Sequence, residues 1–423
     1  MACASFAVYF TMFAFRKPFT AATYDGERFF SSAVALKSAL VIAQVCGYGL
    51  AKYLGVKFCS ELDRTRRFRT LLGMVLAAEG ALLLLPLLPP SWGVLALFLN
   101  GVPLGMVWGL VVLYLEGRRS SEMLLAALSC SFILADGVVK DVGRALLDGT
   151  TIPLFGLPLP NPLGPLAQQW MPAATGALFL LPFAVGAWLL NQSPPPSAED
   201  VAARSARTPM PRDARRAFTR RFLPGLVALL AVYFFVTALR DLRSNFNVEL
   251  LKQLDLAEQK TVITRAESFV TVGVLAAMSS LLLVRDNRRA LVAVFAVMAA
   301  GLLLVSAAGA LHDAGRIDGF WWMTLVGLGV YLAYVPFGSV LFDRLLASVK
   351  ARGTAVFGIY LADAAGYTGS VSLLLYKEFT GGAGMKVEFL KTYGHWLAVG
   401  GVTALAAACL YFLRSPTIEV ADR

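Results

Sequence analysis

Charge is what this chain has least of. Lys, Arg, Asp and Glu make up 15% of its 423 residues, where a soluble protein carries about 25%. Hydrophobic residues make up 57%, so the polar groups could not cover a folded surface in water. That excludes a soluble enzyme and a disordered chain alike. Histidine is scarcer still, at two residues, and the five cysteines (Cys3, Cys46, Cys59, Cys130, Cys409) lie in or beside apolar segments without paired spacing. A disulfide scaffold and a zinc site are thereby excluded. The chain has no GxxxxGKS or GxxxxGKT loop, no HExxH, no acidic metal-binding cluster and no Ser-Lys or Cys-His arrangement. It reads as a non-enzyme, with no catalytic residue, no metal and no cofactor.

What is there is a series of apolar stretches, each long enough to cross about 30 Å of hydrocarbon. Six fall near residues 3–24, 32–54, 68–90, 92–115, 122–146 and 171–191, and six more near 223–247, 262–284, 290–311, 319–347, 353–376 and 391–413. The expectation is an all-α polytopic membrane protein of twelve transmembrane helices. Residues 1–191 form one six-helix half, 192–222 a flexible Pro-, Ser- and Arg-rich cytoplasmic linker, and 223–423 the second half. The neutral segment 147–170, with five prolines, reads as an ordered external loop.

The net charge of +11 alternates with the apolar spans and does not cluster on one polar domain, so it reports topology and not nucleic acid. With both termini cytoplasmic, the inner segments carry 23 of the 38 Lys and Arg and the outer ones about 8, which matches the positive-inside rule. Arg16 and Lys17 lie inside the first span, with no basic stretch ahead of them. That span is therefore expected to be retained and not cleaved as a secretory signal.

A charge at the centre of a spanning helix costs about 2.5–3.5 kcal/mol on insertion scales, so each one is a functional candidate. The first helix brings Arg16 and Lys17 with no acidic residue before Asp25. Adjacent helical positions point about 100° apart, so one is expected to line a cavity and the other to pair within the bundle. In the fifth helix Asp136, Lys140 and Arg144 recur at i, i+4, i+8, with Asp141 three before Arg144; they either neutralise one another along the helix or contribute to a site. In the seventh, Arg240, Arg243, Ser244 and Asn247 share a face while Asp241 points elsewhere, which implies a water-filled cavity. In the eleventh, Asp363 is flanked by Tyr360 and Tyr367 and is either the counter-ion of a buried arginine or a proton carrier. Glu79 and Glu116 are expected to pair with loop arginines, and His312 and His395 to be solvated at external helix ends.

The string FTMFAFRKPFTAATY, then GYGLAKYLG and DRTRR, resembles the first three helices of the organophosphate:phosphate antiporter branch of the major facilitator superfamily. Glycerol-3-phosphate and hexose-phosphate transporters typify that branch. Its first-helix R-K-x-F, second-helix Y-G-x-x-K and following Asp-Arg loop correspond to Arg16, Lys17 and Phe19, to Tyr48, Gly49 and Lys52, and to Asp63 and Arg64. NGVPLGMVWG and DAAGYTGSVSL resemble its fourth and eleventh helices, and RKPFTAATYDG also resembles an uncharacterised bacterial branch. The resemblance implies the major facilitator fold, places Lys52 at the site, and gives the phosphate-binding roles to Arg16 and to Arg240 or Arg243. The fifth-helix histidine of that branch has no counterpart here, Asp136 and Lys140 standing in its region.

The expected function is secondary active transport of a small organic anion across the bacterial inner membrane. The alternative is a non-transporting sensor of the same class of anion. The expected partners are that anion and the bilayer, with no nucleic acid, and the expected state is a monomer. The topology has a direct test in a background without the native cysteines. A membrane-impermeant thiol reagent added to intact cells should label Phe155→Cys and leave Ser205→Cys unlabelled; labelling at 205 would overturn the inside assignment of the linker.

Overall fold

The structure, a computed structural model, describes residues 1–60, 62, 64–115, 121–154, 157–194, 212–349, 355–380 and 386–415. Asp63, Glu116 and residues 195–211 of the linker lie outside these. Helices account for the long elements: α1 (Ala2–Met12), α2 (Leu36–Ser60), α3 (Arg64–Leu83), α4 (Gly93–Leu115), α5 (Ser121–Asp148) and α6 (Met171–Asn191) precede the linker. After it come α7 (Arg212–Arg221), α8 (Leu223–Asn245), α9 (Asn247–Gln253), α10 (Val262–Leu282), α11 (Asn287–Asp313), α12 (Gly319–Ser339), α13 (Leu341–Ser348), α14 (Ala355–Phe379) and α15 (Val387–Arg414).

Seven helices among the described residues, from α4, α6, α8, α10, α11, α12 and α15, have the length and composition to cross a membrane. The other expected spans, α2, α3, α5 and α14, are helical too and carry charge. Lys37 and Lys52 lie in α2, Glu79 and a row of arginines in α3, Asp136 to Arg144 in α5, and Asp363 in α14. The segment 147–170 holds a short antiparallel hairpin, β1 (Ile152–Leu154) against β2 (Leu157–Leu159). The last part of the linker is helical, where flexible chain was expected.

The first span is not the continuous helix expected over 3–24. After α1 the chain tightens into 3₁₀ turns at Phe13–Phe15 and Pro18–Ala21, with Arg16 and Lys17 between them. Pro18 has no N–H to continue the helical ladder, and the Thr20 N–H turns back to the Lys17 carbonyl at 3.0 Å. The carbonyls of Phe15 and Arg16 thereby lose their helical partners, which cannot be left unmet away from water. Two amide side chains supply the bonds: Asn100 Nδ2 donates to Phe15 O (2.9 Å) and Ala78 O (3.0 Å), and Gln44 Nε2 to Arg16 O (2.8 Å). Gln44 also donates to Asn100 Oδ1 at 2.8 Å, so each amide orients the other.

Those amides reach the break because α2 and α4 lie backbone to backbone. A Cβ on Gly101 would sit 2.4 Å from the Gln44 carbonyl oxygen, and one on Gly105 would sit 2.6 Å from that of Tyr48. Small residues at this spacing are how helices approach closely where no hydrophobic force separates them from lipid. In the second half, Gly369 of α14 meets the Phe234 carbonyl of α8 in the same manner.

The halves meet where α5 packs on α10 and α14 on α2. At the end of the bundle away from the linker they are tied by carboxylates reaching across. Glu378 of α14 accepts the Ala35 N–H (2.8 Å) and the Ser38 hydroxyl (2.7 Å), capping the start of α2. Asp141 of α5 accepts the Thr264 N–H (2.7 Å) and hydroxyl (2.6 Å) near the start of α10. Lys37 adds an ion pair to Glu249 at 2.6 Å. The helix break supports a stability prediction. Asn100→Leu strips the Phe15 carbonyl of its partner, at about 1–3 kcal/mol for a buried group left unmet, and should lower Tm in detergent; an unchanged Tm would mean the break is held by other means.

Candidate functional site

The break in the first span faces a cavity between the halves. Its wall includes Phe13, Arg16 and Lys17 at the break, Tyr9 of α1, Tyr48 and Lys52 of α2, and Phe132 and Asp136 of α5. Across from them stand Tyr233, Arg240, Asp241 and Ser244 of α8, Tyr331 and Tyr334 of α12, and Asp363 and Tyr367 of α14. The lining continues along Trp108, Ser129, Gly338 and Ile359, towards the end of the bundle that carries the linker. The opposite end is the one closed by the carboxylate caps.

Four ion pairs organise the charges. Lys52 meets Asp363 at 3.3 Å across the halves, and Lys140 meets Asp136 at 2.7 Å within α5. Arg240 meets Asp241 at 2.6 Å, and Arg243 meets Glu267 at 2.8 Å between α8 and α10. Tyr233 donates to Asp363 (3.2 Å) and Ser370 to Asp241 (2.6 Å), so these carboxylates are also hydrogen-bonded. Buried charges need such pairing and bonding to be tolerated at all.

Arg16 and Lys17 lie outside this scheme. The Arg16 guanidinium stacks 4.0 Å from the centre of the Tyr48 ring, its Nε has no hydrogen-bond partner, and no carboxylate among the described residues pairs with it. Lys17 Nζ donates to two neutral oxygens of α8, Ser244 Oγ (3.1 Å) and Asn245 Oδ1 (2.7 Å). The site therefore holds two cations that the protein does not neutralise. Ser244 is a junction: its hydroxyl donates to Asp136 (3.0 Å) and accepts from Lys17 and from Lys140 (3.2 Å), while Lys140 also donates to the Ser244 carbonyl.

Seven of the eleven candidates read from the sequence reach the cavity: Arg16, Lys17, Lys52, Asp136, Arg240, Asp363 and Tyr367. Four do not. Lys140 is fully buried against Asp136 and Ser244. Arg243 is enclosed by Glu267, the Met323 carbonyl and Gly327. Asn247 is buried in α9 past the bend at Phe246, and Tyr360 is half-buried and does not line the cavity.

Four further expectations are corrected. Both Arg16 and Lys17 line the cavity, because the 100° offset of an α-helix does not apply across a 3₁₀ break. Asp241 does not point away from Arg240 but closes an ion pair with it. Asp363 serves a lysine, not an arginine. Glu79 is not paired with a loop arginine but buried in α3 against Gly176 of α6, with Oε2 unpartnered.

The sequence reading passed over Glu267 and most of the aromatic wall. Glu267 lies near the start of an apolar span and could have been flagged by its cost there. Tyr331 and Tyr334 share a face at i, i+3, but alone that pattern does not separate a cavity wall from core.

No curated protein matches the chain in sequence. Among solved structures, a D-xylose–proton symporter superposes with a TM-score of 0.59 at 12% identity, over 98% of this chain and 97% of that one. The inward-open xylose transporter XylE from E. coli superposes at 0.58 and 13%, over 99% and 97%. At such identities the likeness concerns the fold: an all-α integral membrane protein with the major facilitator architecture. The model of a family described as a family of unknown function, DUF5690, matches residues 18–415, and the chain belongs to that family.

Proposed function

We propose that the protein is a secondary active transporter that moves a small organic anion through the inner membrane of a bacterium by alternating access, with both termini in the cytoplasm. The observation that carries the reading is the charge imbalance: four ion pairs account for the other buried charges of the site, and Arg16 and Lys17 remain. A dianion such as a phosphate ester would complete the balance. A neutral sugar, the cargo named for the structurally similar transporters, would leave both cations without a counter-ion. The likeness of the first three helices to the organophosphate branch supports the same class of cargo.

The position of these groups suits rocking of the halves. Arg16 and Lys17 belong to the first half, and Arg240, Ser244 and Asn245 to the second. An anion held between them draws the halves together on binding, which couples occupancy to the conformational equilibrium. Arg240 is neutralised by its neighbour Asp241 and lies 4.0 Å from the centre of the Tyr334 ring. It presents a planar donor to the cavity without adding net charge. The tyrosines round the wall give the body of the cargo both apolar faces and hydroxyl partners.

A thermal-shift screen of phosphorylated and carboxylated metabolites on purified protein tests the class. A ligand at 100 times its Kd should stabilise by about 2.7 kcal/mol, and a screen in which only neutral sugars stabilise would reject the anion. Arg16→Lys keeps the charge and loses the planar fork. It should fold and bind the anion about ten- to a hundredfold more weakly, the loss of one charge-assisted hydrogen bond at about 1.5–3 kcal/mol. A well-folded Arg16→Lys protein with normal affinity would sink this assignment.

A further inference from the structure

We propose that the arginines round the linker end of α8 form a binding surface for the headgroups of anionic phospholipids. The inference is independent of the cargo and of the cavity that Arg16 and Lys17 line.

α7 carries five arginines and one acidic residue in RDARRAFTRR, and Phe222 alone separates it from the apolar span α8. Helical positions two apart point about 200° from each other, so Arg216 and Arg220 lie on the face opposite Phe218 and Phe222. The phenylalanine face is the packed one. Phe218 and Phe222 are buried, and the Phe222 ring lies 6.0 Å from that of Phe412 in α15. The Tyr411 hydroxyl donates to the Arg221 carbonyl at 2.8 Å, which ties the joint between α7 and α8 to the same helix. Arg216 and Arg220 are thereby left exposed.

The end of α15 gathers a second set of arginines. Arg288, in the first turn of α11, donates to the Leu413 carbonyl, and its chain neighbours Arg285 and Arg289 are exposed, as is Arg414. Asp286 caps α11 by accepting the Arg289 N–H at 2.8 Å. Among the described side chains of α7, the α10–α11 turn and the end of α15, the exposed charges are seven arginines and Asp286.

The apolar residues beside these arginines identify the partner. Leu223 of α8 is 50% exposed, three residues after Arg220; Leu283 is 81% exposed, two before Arg285; Leu410 of α15 is 53% exposed, four before Arg414. In three segments the surface thus changes from exposed leucine to exposed arginine within about 6 Å of helical rise. On membrane-spanning helices the leucines face hydrocarbon, so the change marks its edge and sets the guanidinium groups at the level of the lipid phosphates. A guanidinium meets a phosphate with two parallel donors, and basic clusters at this depth attract anionic lipid. A soluble polyanion would match the charge but not the apolar border. Lipid bound there steadies the linker end of α8, the helix that brings Arg240 and Ser244 to the cavity.

The test titrates full-length protein in detergent with phosphatidylglycerol and, separately, with phosphatidylcholine of the same acyl chains, and reads bound lipid by native mass spectrometry. Phosphatidylglycerol should bind more tightly. One arginine at the membrane surface contributes about fivefold to such affinity, so Arg216→Gln/Arg220→Gln should weaken phosphatidylglycerol about 25-fold and leave phosphatidylcholine unchanged. Arg216→Lys/Arg220→Lys keeps both charges and should stay within about threefold of wild type. Lys260→Gln/Arg265→Gln removes the same charge from exposed positions at the closed end and should leave the preference intact.

Equal binding of the two lipids by the wild-type protein, or an equal loss in the two glutamine variants, would overturn the surface. Inorganic phosphate that displaces phosphatidylglycerol at equal concentration would reveal a site for the free anion and overturn the lipid assignment. Polyglutamate that binds more tightly than phosphatidylglycerol, and loses that affinity in Arg216→Gln/Arg220→Gln, would assign the surface to an acidic polypeptide instead. Each of these failures leaves the transport reading standing.

Discussion

Moving one ion from water to a low-dielectric interior costs several kcal/mol even after relaxation, and this protein places two cations side by side at the middle of a span. The arrangement round Arg16 and Lys17 follows from that cost. Neither can be met by the helix that carries it, since the nearest acidic residue along the chain is Asp25. The helix breaks, which turns both side chains into one cavity and frees two carbonyls. The freed carbonyls require Gln44 and Asn100, and these amides reach the break because glycines let α2 and α4 touch. Arg16 then rests on Tyr48 of the same α2. A motif legible as a run of glycines in α4 is thus part of the scaffold of the cavity that Arg16 and Lys17 line.

The cross-half contacts follow a related logic. At the closed end, a carboxylate from each half caps a helix start in the other: Glu378 on α2 and Asp141 on α10. Helix N-termini carry unsatisfied N–H groups and the positive end of the helix dipole, so these caps are favourable while shut. In the proposed transport cycle water can replace them when the ends part. In the middle, Ser244 joins Lys17 and Lys140 of one half through a single hydroxyl and carbonyl of the other. The contact through the site thus combines hydrogen bonds at Ser244 with one ion pair across the halves, Lys52 with Asp363, while Arg243 with Glu267 stays within the second half.

Local information was sufficient for the membrane class, the order of the spans and the importance of the charges. Hydrophobic length and charge cost act residue by residue along a helix, so a count along the chain captures them. It also sufficed for Arg240, Asp363 and one of the adjacent pair Arg16 and Lys17 as cavity residues, since an unpaired charge inside a span has few other places to go. It failed where two elements had to be known together. Arg243 is indistinguishable from Arg240 on α8 until α10 is seen to bring Glu267 against it. Lys140 is equivalent to Lys17 as a mid-membrane lysine until Asp136 is seen to claim it. The break at Pro18 was legible in principle, because proline withdraws a donor, but its consequence for the direction of two side chains was not.

The sequence alone determined that this chain lives in a bilayer, that its buried charges sum to an excess of positive charge, and that the excess originates in the first helix. These are properties of composition and of distance along one helix. Which cations remain unmatched was decided by the tertiary structure, because neutralisation in a low-dielectric interior is a contact property that acts over a few ångströms. The partners that remove Lys52, Arg243 and Lys140 from the count, and leave Arg16 and Lys17 in it, are set by which helix faces meet.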